Sequence, residues 1–346
     1  MLFVKVRKKD GERTRVRLLE SNILSNECKI ESNGEFLYFP VIKKHGEYEY
    51  IEMEGVKCRQ KYYNLTDALS GTLSSDELRS LITSFDIIGD VAIIEIPDKL
   101  LKKQRIIAEA VMGVHKNVRV VAKKTGAMTG KYRVRPLKVI AGEKRTETTY
   151  SEFEMRMMLD PSKVYFSGRL SGERKRIANL VKDDENILAL FAGVGPFPLV
   201  ISKFKPKTNI VAIELNPHAI EYMKRNVKLN KINNIQVIKG DVRKIVPEKY
   251  ANFADRILMP LPKNAEDFLD VALAGANNNC TVHIYAFAPV SNPYKAIKTK
   301  IIKVAKKVNA KVQFLNQKIV RPYAPNITQV VIDFILVKPK QITDKK

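Results

Sequence analysis

A chain of 346 residues is longer than one compact core usually holds, so two or three domains are expected. With 45% hydrophobic residues general disorder is excluded, and no uninterrupted apolar run is long enough to span a membrane. The 61 Lys and Arg against 37 Asp and Glu leave a net charge of +24, a field that attracts polyanions, nucleic acid above all, although a Lys-rich thermophilic surface would also produce it.

The opening MLFVKVRKKDGERTRVR turns charged too early for a signal peptide. Cys28, Cys58 and Cys280 are too scattered for a disulfide framework or a metal cluster, and His45, His115, His218 and His283 stand apart from one another. A cytoplasmic protein without a metal or a membrane follows.

Residues 1–66 read as a small α/β domain: LFVKVRK alternates like a strand, GERTRVRLLESNIL has helical spacing, and FLYFPVI is strand-like again. The stretch YYNLTDALSGTLSSDE (62–77) has the composition of a linker of turns and caps. A second small α/β domain, 67–158, carries FDIIGDVAIIEIP as strands, KLLKKQRIIAEAVMGV as a helix, then NVRVVAKK and GKYRVRPLKVIAG. The basic clusters at 5–17, 101–105 and 131–145 all fall in these two domains, outside the part that reads as an enzyme core, which fits a nucleic-acid partner.

From 159 to 346 strand and helix alternate strictly. Strands are expected at 186–193, 209–215, 235–241, 255–262 and 280–289, with helices at 218–230, 265–276 and 294–308. Near-continuous apolar strands of this kind imply a doubly wound, mostly parallel sheet covered on both faces. AKVQFLNQKIV and TQVVIDFILV add a closing hairpin with an antiparallel strand.

Ligands of such sheets sit at the carboxyl ends of the strands. The first strand ends in FAGVGPF, where Gly193 and Gly195 permit a tight turn and Pro196 suits a first helical turn. The third small residue of a dinucleotide fingerprint is missing. Glu214 ends the next strand, placed to accept from both ribose hydroxyls of an adenosine, and Asp241 ends the third, where an acid meets an adenine amino group. Either acid alone is as readily a helix cap. Together with the glycine turn they point to S-adenosylmethionine.

KVYFSGRLSGERKRI (163–177), FAGVGPF and IELNPHAIEYMKRNVKLN (213–230), with RVRPLKVIAGEKRT (133–146) and KVRKKDGERTR, resemble archaeal tRNA methyltransferases that modify the purine at position 37. The resemblance spans essentially the whole chain. It implies an α/β fold with a C-terminal Rossmann-like class I methyltransferase domain, an N-terminal domain that contacts the tRNA elbow, a middle domain that contacts the anticodon stem, and a monomer. It maps a general base onto Glu173 and an arginine that stabilises charge on O6 onto Arg133. Tyr165 offers a face for a flipped base, and Phe191, Gly193, Gly195, Glu214, Asp241 and Arg174 are the implied cofactor contacts. Without the resemblance, Glu173 reads as a helix N-terminal acid, Arg133 as a phosphate contact and Tyr165 as a core aromatic.

In DRILMPLPKNAEDF (255–268) Pro262 matches the family's proline, whereas Pro260 stands where the N1-guanosine enzymes have asparagine. That change removes an amide donor and acceptor. The variant resembles a bifunctional subgroup that also methylates carbon 7 of 4-demethylwyosine, giving isowyosine. The alternatives are methylation of guanosine 37 alone, aminocarboxypropyl transfer in the wyosine pathway, which the N-terminal domain argues against, and a non-catalytic RNA-binding protein.

Overall fold

A computed structural model describes residues 1–25, 27–56, 64–128, 130–307 and 309–339. Cys58, the start of the 62–77 stretch, the last residue of the helix expected at 294–308, and 340–346 lie outside the described residues. The chain forms two compact units, Met1–Ser74 and Ser75–Lys346, so the segments 75–158 and 159–346 fall within one unit.

In the first unit β1 (Leu2–Arg7) lies between β3 (Phe36–Pro40) and β4 (Glu49–Glu52), with the short β2 (Glu31–Ser32) outside β3, all antiparallel. Helix α1 (Gly11–Glu20) inserts Leu18 among Val4, Ile23, Phe39 and Val41. Its outward side exposes Arg13 and Arg17, continuing the exposed Lys8 and Lys9. Part of the expected linker is instead helical. The Asn64 side chain accepts from the Asp67 amide at 2.8 Å and starts α2 (Leu65–Leu69), and α3 (Ser75–Ser80) opens the second unit.

The second unit begins with a four-stranded sheet, β5 (Asp86–Ile88), β6 (Val91–Ile94), β7 (Val120–Lys124) and β8 (Leu137–Gly142), in that order. Helix α4 (Gln104–Val114), entered through a 3-10 turn at Asp98–Lys103, is the crossover that makes β6 and β7 parallel. A hairpin of β9 (Thr148–Glu152) and β10 (Met155–Leu159) follows.

Next come α5 (Ser171–Leu180), β11 (Asn186–Leu190), α6 (Pro196–Phe204), β12 (Asn209–Glu214), α7 (Pro217–Leu229), β13 (Ile235–Lys239), α8 (Val242–Lys249), β14 (Ala254–Met259) and α9 (Leu269–Gly275). The chain closes with β15 (Ala276–Pro289), α10 (Lys295–Lys306), β16 (Lys311–Ala324) and β17 (Ile327–Val337). The sheet order is β13-β12-β11-β14-β15-β17-β16, parallel through β15 and antiparallel at β17 and β16. This is the doubly wound sheet and closing hairpin expected from the sequence.

Burial explains the apolar runs. Leu188, Leu190, Ile257 and Met259 point into one core, and Ile187, Ala189 and Leu258 into another on the opposite face. Successive strand residues face opposite sides, so a sheet covered twice favours apolar residues at consecutive positions. The strand order reverses between β11 and β14, which opens a crevice at their carboxyl ends.

Candidate active site

The crevice is a cavity of about 280 Å³. Its wall includes Phe191 and Gly193 after β11, Glu214 at the end of β12 and Asn216 after it, Asp241 and Arg243 after β13, and Pro260 and Pro262 after β14. The segment between β7 and β8 closes it with Lys131, Tyr132 and Arg133, and the loop before α5 adds Tyr165.

The turn after β11 is conformationally demanding. Gly193 and Gly195 have φ of 57° and 90°, and Phe191 adopts 55°, a left-handed state that costs a non-glycine residue about 1–3 kcal/mol. A Cβ on Gly195 would also come within 3.0 Å of Met223. Pro196 then occupies the first turn of α6, as its lack of an N–H allows.

Glu214 is held by backbone amides: Oε1 accepts from Leu215 and Asn216, both at 2.7 Å, and Oε2 from Gly193 at 2.8 Å. A carboxylate has about four acceptor positions, so one remains on Oε2. Asp241 caps α8 through Oδ1, accepting from the Arg243 amide at 3.0 Å, and retains Oδ2. The Arg243 guanidinium lies 4.1 Å from the Phe268 ring centre, and Phe268 meets Phe191 edge-on at 4.8 Å. A hydroxyl acceptor, an acid and an aromatic slot in one cavity fit an adenosine moiety.

Arg133 lies 5.8 Å from the Tyr165 ring centre, with φ of 52°. These two come from separate elements and share the cavity with Pro260 and Pro262.

Glu173, Gly195 and Arg174 are not on the wall. Gly195 acts through the turn. Arg174 is almost fully buried on Glu152 of β9, donating at 2.5 and 2.7 Å, and also donates to the Ser167 carbonyl at 3.2 Å. It therefore pins the loop that carries Tyr165 rather than facing a cofactor, a correction caused by a partner from the β9 strand.

Glu173, in the first turn of α5, is also buried. Its Oε2 accepts from Arg176 Nε at 2.9 Å and the Tyr285 hydroxyl at 3.0 Å, and its Oε1 from Lys318 at 3.1 Å. Burial opposes ionisation, but the Arg176, Lys318 and Tyr285 donors outweigh it and hold the carboxyl below its ordinary range. Ile284 pairs with Met259, so Tyr285, which donates to Glu173, follows the pair that ends β14.

Sequence reasoning missed Tyr132, Asn216, Arg243 and Phe268, and named Lys131 only within the basic cluster 131–145. Asn216 had a signal, since an Asn before Pro217 marks a helix start, and its side chain does accept from the His218 amide at 3.0 Å. Among the described residues no three His, Cys, Asp or Glu are grouped to hold a metal ion, and no helix is long and apolar enough to cross a membrane.

Residues 4–49 match the tRNA methyltransferase 5 N-terminal domain, 65–146 the TYW2 N-terminal domain and 148–313 the TRM5/TYW2 methyltransferase domain. The tRNA (guanine(37)-N(1))-methyltransferase Trm5b of Pyrococcus abyssi is 40% identical over 334 residues, 96% of this chain and 98% of that protein. The chain belongs to the TRM5/TYW2 methyltransferase family. The crystal structure of the same P. abyssi protein superposes with a TM-score of 0.73, covering 97% of this chain and 99% of that one. A structure of aTrm5 with tRNALeu, 34% identical, gives 0.77 with the same coverage. Within the TRM5/TYW2 family, the tRNA (guanine(37)-N(1))/4-demethylwyosine(37)-methyltransferase Taw22 of Nanoarchaeum equitans is 37% identical over 255 residues, 59% of this chain and 84% of that protein.

Proposed function

We propose that this protein methylates N1 of guanosine 37 in tRNA with S-adenosylmethionine as donor. The observation that carries the reading is the shared cavity: Arg133 and Tyr165 meet the adenosine-type wall of Gly193, Glu214 and Asp241 beside Pro262. The Trm5b relative supports the substrate.

The donor, when bound on Glu214, Asp241 and the glycine turn, supplies a methyl group that needs no activation. The protein's task is the purine. Guanine N1 carries a proton and is a poor nucleophile until it leaves. Glu173, kept ionised by its three donors, is the acceptor we assign to that proton; it lies behind the cavity wall, and its open position is on Oε1 beside the half-exposed Lys318. Arg133 offsets the charge that moves onto O6. Tyr165 offers a ring against which an extruded base rests, and the Pro262 ring packs without competing for its hydrogen bonds. The exposed cations of residues 5–17 contact the elbow, the basic segments of 67–158 contact the anticodon stem, and the enzyme acts as a monomer.

The test is incubation of purified protein with labelled donor and two transcripts, one with guanosine 37 and one with adenosine 37, followed by nucleoside mass analysis. N1-methylguanosine from the first alone is expected. Equal labelling of both, or of neither, sinks the reading.

Pro260 favours an added activity. It lines the cavity with no side-chain amide, which leaves room for a tricyclic base to present its imidazole carbon, and Taw22 supports such a role. Pro260→Asn is expected to shift the ratio of carbon-7 to N1 methylation toward N1 by roughly 5-fold, the worth of one hydrogen bond. An unchanged ratio on 4-demethylwyosine and guanosine transcripts removes the role of Pro260, and absence of carbon-7 product from the parent removes the second activity.

A further inference from the structure

A second cavity of about 430 Å³ adjoins the first and shares Lys131, Arg133, Leu261 and Phe268 with it. We propose that it holds a nucleotide adjoining the target in the RNA chain, stacked on Tyr323. The proposal rests on RNA being the substrate.

The ring of Tyr323 is stacked on Phe287, with centroids 3.8 Å apart and planes 28° from parallel, yet the residue is 50% exposed. One face is therefore supported from behind and the other is open. A ring held this way has little freedom left to lose when a base settles on it, which is how sequence-tolerant stacking platforms work.

Three features fix the platform beside the catalytic loop. The Phe287 amide donates to the Pro262 carbonyl at 2.8 Å, so the supporting ring is tied to the residue that closes the target cavity. The β16–β17 register shifts between Pro322 and Ala324, and a bulge of this kind re-aims the side chain between them. Asn264, on the same wall, takes a left-handed φ of 65°, which turns the chain after the PLPK segment.

Charge agrees with an RNA occupant. The charged residues lining this cavity are Lys131, Arg133 and Lys263, all cations, and both lysines are exposed. Two ammonium groups at the rim and an aromatic face inside match a phosphate–base unit.

The experiment uses the full enzyme and tRNA transcripts with 2-aminopurine at position 36 or 38. At one of these positions, emission is expected to be lower with the parent or Tyr323→Phe than with Tyr323→Leu, which keeps the cover over Phe287 but loses the flat ring. Methylation by Tyr323→Leu is expected to fall roughly 10-fold in kcat/KM, as for loss of one base stack, and an abasic residue at the same position should abolish that difference. Equal emission for parent and Tyr323→Leu at both positions overturns the proposal while leaving guanosine 37 methylation standing. Failure of the parent to methylate would instead remove the functional reading beneath it.

Discussion

Changing Glu173 to Gln is expected to slow single-turnover methyl transfer by about 10²–10⁴-fold, the worth of a positioned general base, with the affinity for S-adenosylmethionine unchanged by calorimetry. Glutamine preserves the shape of a side chain that is only 4% exposed, so the loss reports chemistry rather than packing. The three donors that surround the carboxylate lower its pKa and thereby weaken it as a base. They also extend the ionised form to lower pH than a free carboxylate would allow. The sign follows: the proton-accepting form is present above the ordinary value of 4.5, and activity due to this group falls only as pH drops below it. No inflection from Glu173 belongs in the neutral range. A Gln variant that transfers methyl at the parental rate would leave Glu173 as an ion-pair anchor only.

Lys318 bears on the same group from outside. Its side chain is about half exposed, while the carboxylate it meets is buried. Of Glu173's three partners it is the one that a bound polyanion can draw away. Arg176 remains fixed by Asp333 at 2.6 Å.

Much of this was legible because it depends on local rules. The parallel sheet follows from apolar strands that could be buried on both faces, and Gly193, Glu214 and Asp241 follow from the rule that ligands meet strand ends. What was not legible depends on partners distant in sequence. Arg174 and Glu173 are adjacent in SGER, yet one turns to Glu152 and the other to Tyr285 and Lys318, which lie 112 and 145 residues downstream. The β9–β10 hairpin was missed because TTYSE gives a weak apolar alternation; it is held by burial of Met155 and Met157 against the sheet core. The strand expected at 280–289 starts earlier, at Ala276, because its first residues cross a register shift against β14 that periodicity does not reveal. Phe268 enters the cavity from the 3-10 turn Ala265–Phe268 that opens the helix expected at 265–276, and helical spacing does not say which residue of such a turn faces a ligand.

The second large effect concerns stability. Asp333→Ala is expected to lower the unfolding free energy by about 3–5 kcal/mol, measured by denaturant titration, because it leaves buried partners uncompensated. Asp333 Oδ1 accepts from His283 Nδ1 at 2.7 Å and Oδ2 from Arg176 at 2.6 Å; His283 Nε2 meets Arg256 at 2.6 Å, and Arg256 is paired with Glu185 at 2.6 Å. Since the Arg256 guanidinium can only donate, Nε2 accepts and the Nδ1 proton belongs to the bond with Asp333, which makes the imidazole neutral. Burial pushes His283 down, and the Asp333 carboxylate offsets only part of that. For Asp333, burial opposes ionisation, yet the bonds from His283 and Arg176 hold its carboxyl well below the carboxylate range. Both folded-state values are depressed, so both contributions are fully present at high pH and are lost on acidification. The His283 contribution declines as pH falls below the ordinary 6.5, and that of Asp333 as pH falls below 3.8. Each group steepens the decline by up to about 1.4 kcal/mol per pH unit within its window. Replacing His283 with Gln should erase the earlier part of the decline and leave the later one. A parental stability that rises as pH falls from 7 to 5 would mean that the imidazole is charged in the folded protein, and that Nε2 does not accept from Arg256.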